Sequence, residues 1–411
     1  MNDIIIIGGG ASGLMSAIYA SKSNRKITIL EKNNILGKKI LITGNGKCNY
    51  WNKSISLNNY NTSNNDILNN ILSNSNQIEI QNIFDRLGII PKIRDNYYYP
   101  YSGQATSIQT TLIKECETLG VEIITNCEVK NIEKNDNIFI ISTSNGIYQA
   151  NKVIISTGSL ACPKTGSTGD GYKFAKNLGH AIIQPLPALV QLETTGTFLK
   201  EWHGIRTDVS VTLKEKEQIL KTEVGEIQLT DYGVSGICIF NISSIASRKL
   251  YVNKKISLSI NFLYPFNITT EEDFYTWMNK RNNTMHNRTT SDLLDGILNY
   301  KLVNLILNLS NIKRDNNWNR IDKEKRYKLY NYLTNFTLDI KRTKSFDNSQ
   351  TTTGGIPLSE INPSTMESKK CHNLYLTGEL LDADGDCGGY NLAFAWITGM
   401  LAGKGVVNDK N

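Results

Sequence analysis

Apolar and polar positions divide the chain into short β-branched runs and longer helical patterns. Four consecutive isoleucines, Ile4, Ile5, Ile6 and Ile7, open it. An unbroken run of that length predicts a strand buried on both faces. The cluster Gly8-Gly9-Gly10-Ala11-Ser12-Gly13 stops the run, and Leu14, Ala17 and Ile18 then recur at helical spacing, predicting a helix over 11–23. A second run, Lys26-Ile27-Thr28-Ile29-Leu30, ends at Glu31. The Asn- and Ser-rich stretch 54–76 predicts a loop with a short helix, the patterns over 77–87 and 105–119 predict two more helices, and Tyr97-Tyr98-Tyr99-Pro100-Tyr101-Ser102 reads as an aromatic turn, either core or the wall of a substrate pocket. Segments 121–124, 128–133, 138–142 and 147–150 read as strands of a meander. The run 152–155 predicts a buried strand that ends in Ser156-Thr157-Gly158, with a helix over 172–178.

From about residue 185 the pattern changes to the two-residue alternation of strands, at 190–193, 209–213, 218–224 and 256–262. Segments 271–311 and 322–333 read as helices, with Ile297, Leu302, Ile306 and Leu309 on one apolar stripe. Thr351-Thr352-Thr353-Gly354-Gly355-Ile356-Pro357 reads as a turn. A strand over 374–376 then ends at Thr377-Gly378, and Gly388-Gly389 precedes a helix over 392–402. The expected division is a discontinuous α/β domain, 1–188 with 345–411, interrupted by a β-rich, barrel-like domain, 189–268 with 334–344. That insertion itself carries a helical insertion, 269–333.

At 411 residues the chain can hold two or three domains and a large core. The mean hydropathy of −0.30 reflects abundant Asn rather than charge. The net charge of +7 fits a mildly basic globular protein. It also leaves room for a polyanion such as RNA, because Lys313, Arg314, Arg320, Lys323, Lys325, Arg326 and Lys328 cluster. The seven cysteines are scattered without a Cys-x-x-Cys, as expected of reduced thiols in a cytoplasm. The chain enters a core strand at once, unlike a secretion signal, and no apolar run reaches membrane-spanning length. His180, His203, His286 and His372 show no ligand spacing and no triad, so neither a metal site nor hydrolase chemistry is expected.

The glycine cluster carries the first chemistry. Gly8 permits a sharp turn, Gly10 leaves room for a pyrophosphate against the backbone, and Gly13 lets helix and strand pack closely. The helix start then offers N–H groups and positive partial charge to phosphate. Glu31 lies where a carboxylate accepts from a ribose hydroxyl. The following loop, with Lys38, Lys39, Gly44, Gly46, Lys47, Cys48 and Asn49, is expected to fold over the cofactor. Thr157-Gly158 ends a buried strand, and Asp384 and Gly389 lie in a second glycine-rich strand-to-helix turn. A cofactor with a phosphate end and a large ring end needs two such turns, which points to FAD rather than NAD.

On these markers the chain resembles the BaiN/YhiN-like family of FAD-dependent oxidoreductases, also described as aminoacetone-oxidase-like. The resemblance rests on 8–13, on Leu36-Gly37-Lys38-Lys39-Ile40 through Gly46-Lys47-Cys48-Asn49, on 163–172, on 225–236, and on Gly354-Gly355 with 378–392. It implies a Rossmann-like, glutathione-reductase-like FAD-binding domain with a β-barrel-like insertion and a small helical insertion. It also implies that FAD is lined by Gly8, Gly10, Ala11, Ser12, Gly13, Glu31, Lys32, Lys39, Thr43, Gly44, Gly46, Cys48, Asn49 and Val129. Thr157, Gly158, Gly378, Glu379, Asp384, Gly388, Gly389, Tyr390, Asn391 and Leu392 complete the lining. The chain departs from the family pattern at Lys38 and Lys47, where arginine is common, and at Ala393-Phe394, where an amide and a tryptophan are common. A lysine keeps the charge but lacks the bidentate fork.

In such a flavoprotein the cofactor carries the hydride and the protein supplies orientation and a proton. Cys48, Cys387, Lys47 and Tyr390 are the candidate proton donors. No second Gly-x-Gly-x-x-Gly unit exists, so NAD(P)H is expected as a transient donor without its own domain. The first reading is reduction of an activated C=C bond in a small molecule. The alternatives are reduction of uridine in ribosomal RNA, oxidation of an amine such as aminoacetone, and a non-catalytic flavin-binding redox sensor.

Overall fold

A computed structural model describes residues 2–268, 270–286 and 288–408. The chain divides into two compact units, Met1–Ala188 with Phe346–Asn411 and Leu189–Ser345.

The first unit is built on a seven-stranded sheet. Asn2–Ile7 lies at its centre, parallel to Ile27–Leu30 on one side and to the second half of Gly146–Ile155 on the other. Glu122–Ile124 extends the sheet beyond Ile27–Leu30, and Leu374–Leu376 pairs parallel with 153–155. Ile4, Ile5 and Ile6 are fully buried, as their unbroken apolar run predicts. The sequence reading places separate strands at 147–150 and 152–155; the structure joins them into one. Its first half pairs antiparallel with Ile138–Thr143 and its second half is parallel to Asn2–Ile7.

Two helices lie against each other. Ala11–Ala20 ends three residues earlier than the pattern suggests: the Ser21 N–H makes the last four-residue bond, to the Ala17 carbonyl, and the Lys22 and Ser23 N–H groups reach only three residues back, to Tyr19 and Ala20. Tyr390–Val407 is longer than the expected 392–402, since its apolar residues continue around all sides and leave no amphipathic edge to read. A Cβ on Gly399 would come 2.5 Å from the Ser12 carbonyl oxygen, and one on Gly403 would come 2.6 Å from that of Ser16. The four-residue glycine spacing thus lets the two backbones touch.

Thr351–Gly355 is a fully buried strand rather than a turn. It pairs antiparallel with Ile183–Ala188, with Ala188 opposite Thr351. Three β-branched threonines favour this conformation, whereas the glycine pair alone suggests a turn.

The second unit is a closed six-stranded barrel, ordered Leu192–Thr194, Gly233–Ser235, Gln218–Leu229, Arg206–Glu215, Ser257–Asn261 and Phe336–Thr343. Its core includes Val209, Val211, Leu213, Ile227, Leu258 and Ile260. The helix Ile237–Tyr251 has no counterpart in the sequence reading; its Ile239, Ile242 and Ala246 are buried. Four helices, Glu271–Thr284, Thr290–Asp295, Tyr300–Leu309 and Lys323–Thr334, stand between the last two barrel strands in sequence. Among the described residues no helix is long and apolar enough to cross a membrane.

Candidate functional site

The site begins where the central strand meets its helix. Gly8 has φ +98°, and a Cβ there would come 2.6 Å from the Ser156 carbonyl oxygen. A Cβ on Gly13 would come 2.0 Å from the Gly8 carbonyl oxygen. A Cβ on Gly10, by contrast, meets only the Ser156 oxygen, at 3.9 Å. Gly10 caps Ala11–Ala20 with no side-chain hydrogen bond, and no acid stands in the first turn. The first N–H groups therefore face open space beside Gly10, as an anion site requires.

Glu31 is only 7% exposed. Its Oε2 accepts the Gly9 N–H at 2.8 Å, and Oε1 accepts from the Asn33 N–H and side-chain amide at 2.8 and 2.7 Å. The Cys127 N–H donates to the Glu31 carbonyl, which brings the strand opened by Val129 alongside. Lys32 is held by Thr168 and by Asp170, the latter at 2.6 Å. The loop around Ser167 thus docks on the end of the second strand.

A second layer comes from the far end of the chain. The Ser156 and Thr377 hydroxyls lie 2.8 Å apart, which ties the two Thr-Gly strand ends together. A Cβ on Gly378 would come 2.7 Å from Ser12 Oγ. Glu379 pairs with Lys39 at 2.5 Å and accepts from Ser159 Oγ at 3.0 Å. Thr157 Oγ1 is buried without a hydrogen-bond partner among the described residues. Asp384 is fully buried and accepts from the Asn61 amide at 3.1 Å.

The third part is made by two turns. In 44–48, Gly44, Asn45, Gly46 and Cys48 all have positive φ. Gly389, at φ +90°, opens Tyr390–Val407 without a capping side chain. Asn391 closes the second turn by exchanging two hydrogen bonds with the Gly385 backbone, at 2.9 and 2.8 Å. A Cβ on Gly389 would come 2.8 Å from the Asn49 side-chain amide, so the two turns touch. The helices Ala11–Ala20 and Tyr390–Val407, like Asp170–Asn177, are thus each entered through a glycine without a capping side chain.

The four proton-donor candidates differ in setting. Cys48 is fully buried, and burial pushes its thiol up to about 12. Tyr390 is buried, its phenol raised by that burial, and its carbonyl accepts from Tyr60 Oη at 3.0 Å. Cys387 is half-buried. Lys47 is exposed, and no described residue pairs with it.

Sequence reasoning leaves out two contributors. The strand Tyr97–Pro100 was legible only as an aromatic turn, either core or pocket wall; here a Cβ on Gly388 would come 2.5 Å from the Tyr97 ring. Thr351–Gly355 lies beside the Gly378–Leu380 turn, with the Ile356 N–H donating to the Leu380 carbonyl at 3.0 Å.

One histidine reading needs correction. His180 is buried and joins Glu360 through Nδ1 and Ser368 through Nε2, both at 2.8 Å, which is the connectivity of a triad. Ser368 Oγ already accepts the Lys370 and Cys371 N–H groups, so its proton points at Nε2 and its lone pairs are occupied. The cluster pins a loop and presents no nucleophile. Among the described residues no group of His, Cys, Asp and Glu is placed to hold a metal ion.

Fold and site together define a Rossmann-type FAD-binding flavoprotein of the α/β class with a barrel insertion. The HI0933-like protein Rossmann domain model matches residues 2–405, and the chain belongs to that family. It is 36% identical over 407 residues to the 3-dehydro-bile acid delta(4,6)-reductase of Clostridium scindens, covering 98% of each chain. It is 27% identical to the ribosomal RNA dihydrouridine synthase of Haemophilus influenzae, covering 95% of each. The solved 3-ketosteroid-delta4-(5alpha)-dehydrogenase of Rhodococcus jostii shares the fold, with a TM-score of 0.51 at 12% identity over 99% of this chain and 97% of that one.

Proposed function

We propose that this protein is an FAD-dependent reductase that takes electrons from NAD(P)H and reduces an activated C=C bond, such as that of an enone, in a small molecule. The observation that carries the reading is the end-to-end similarity to a bile acid reductase, on a chain whose own residues fit FAD. The fit is local. Gly10 leaves a gap beside an uncapped helix start, Gly389 opens another helix without a capping side chain, and Thr157 Oγ1 is buried without a partner among the described residues. Bound FAD supplies two-electron hydride transfer at its ring.

Within this reading Gly8, Gly10, Ala11, Ser12, Gly13 and Lys39 face the phosphates, and Glu31, Lys32 and Val129 the adenosine. Thr157, Gly158, Gly378, Glu379 and Asp384 follow the sugar chain. Thr43, Gly44, Gly46, Cys48, Asn49, Gly388, Gly389, Tyr390, Asn391 and Leu392 surround the ring. The test is purification with a flavin spectrum, then anaerobic reduction by NADH or NADPH and reoxidation by a conjugated enone. Enone-dependent reoxidation supports the reading. Reduction by aminoacetone with peroxide on aeration would favour an amine oxidase, and bound FAD without turnover a redox sensor. A colourless protein that takes up no FAD would overturn the whole assignment.

The second reading, uridine reduction in ribosomal RNA, is favoured by the +7 charge and the similarity to a ribosomal RNA dihydrouridine synthase. The basic cluster supports it only in part. Arg314 pairs with Asp295, Lys325 with Asp322 and Lys328 with Glu324, while Arg326 stacks on Trp318. Lys313, Arg320 and Lys323 have no carboxylate partner among the described residues. RNA affinity that falls steeply with salt would support this reading, and salt-independent behaviour would exclude it.

A further inference from the structure

The proton that accompanies hydride in the proposed reduction needs a donor that is protonated at neutral pH, uncommitted and reachable from solvent. Cys48 is sealed in the core, Tyr390 is buried, and exposed Lys47 and half-buried Cys387 stand in turns rather than on a paired strand. The strand Tyr97–Pro100 offers another group. It is held on both sides, with Tyr98 opposite Trp51 in one neighbouring strand and opposite Ile93 in the other. Tyr98 points to the core, where it meets Tyr50 edge-on at 6.3 Å. Tyr97 and Tyr99 therefore share the other face.

That face meets both turns. The Tyr97 ring lies against Gly388, and the Tyr99 ring comes 3.7 Å from a Cβ built on Gly44. Tyr97 is half-buried, and no described residue hydrogen-bonds its hydroxyl. Burial raises its phenol, with Cys387, Tyr99, Asp95 and Asp386 adding in the same direction, so it keeps its proton through neutral pH. Its rigid strand supplies the positioning that loop residues lack.

We propose that Tyr97 is the proton donor of the C=C reduction, standing over the turn that opens the terminal helix; the assignment rests on the reductase reading above. One alkene carbon takes hydride from the reduced cofactor and the other takes the Tyr97 proton. The π bond, the O–H bond and the cofactor's bond to the transferred hydrogen break as two C–H bonds form. The alkene gains two electrons, the cofactor loses two, and water reprotonates the phenolate.

The test compares Tyr97→Phe and Tyr99→Phe in the holoprotein. Pre-reduced enzyme is mixed anaerobically with a conjugated enone and flavin reoxidation is followed. In Tyr97→Phe the reoxidation rate should fall about 100-fold or more and its alkaline limb should vanish, with flavin content and reduction by NAD(P)H unchanged. A Tyr97→Phe rate within about threefold of wild type, on the same scale of effects, overturns the assignment. So does a Tyr99→Phe loss as large as that of Tyr97→Phe. A second readout needs no turnover. With 3-fluorotyrosine incorporated, the resonance missing from Tyr97→Phe should shift when enone is added to the oxidised protein. An unmoved resonance overturns the Tyr97 role even where wild type turns over. Wild type that neither turns over nor binds an enone overturns the reductase reading and the role with it.

Discussion

His180 and Gly13 show how single residues set stability here. Burial holds the His180 imidazole below its ordinary value, against the pull of Glu360, and Lys370 adds to the lowering. The unfolded chain therefore binds a proton that the folded chain resists, and stability rises with pH. The contribution is full above the ordinary histidine value and is lost as pH falls through the folded one. The melting temperature should drop between neutral pH and pH about 5, and His180→Asn should flatten that drop. An equal drop in both proteins would remove His180 as its source. Gly13→Ala asks more of the backbone, since the new Cβ would sit 2.0 Å from a carbonyl oxygen with no flexible side chain to yield. The expected cost is about 1–3 kcal/mol, read by denaturant titration, together with loss of bound flavin. Flavin content equal to wild type would show that the turn can open without harm.

Among elements, the pairing of Ala11–Ala20 with Tyr390–Val407 depends on Gly399 and Gly403. Gly399→Ala should raise helix propensity and still destabilise, by about 1–3 kcal/mol. A more stable variant in thermal melts would mean that the helices have room to part. The strand, turn and helix at 2–20 were legible because their signals are local: four isoleucines, a glycine cluster and a helical period. The terminal helix was readable in place but not in length, because burial on every side erased its period. Ile237–Tyr251 was missed between stretches of strand alternation, and Thr351–Gly355 was misread because two glycines outweighed three threonines. The aromatic strand could be seen but not placed. Its neighbours, Gly44 and Gly388, lie far from it in sequence and are brought there by the sheet pairing of Trp51 and Asn52 with Tyr98 and Tyr97 and by the Asn52 amide, which donates to the Gly388 carbonyl. The triad-like link of His180, Glu360 and Ser368 was hidden for the same reason.

For the whole molecule, the chain leaves the first unit at Ala188 and re-enters it just before Thr351, and these two residues are strand partners. The exit and return points are therefore a hairpin's width apart. A chain in which a short Gly-Ser linker joins 1–188 to 346–411 should fold and bind FAD with an ordinary flavin spectrum. A colourless or aggregated product would show that the first unit depends on the second for its fold.

The site described above draws on residues 8–13 and on residues 378–391 of one polypeptide. These are made far apart in time during synthesis. The first helix leaves the ribosome without its partner helix, and the central sheet without Leu374–Leu376. Until residue 378 emerges, the turn at 8–13 has no Thr377-Gly378 turn against Ser12. A nascent chain stalled before residue 378 should therefore remain flavin-free however much FAD surrounds it.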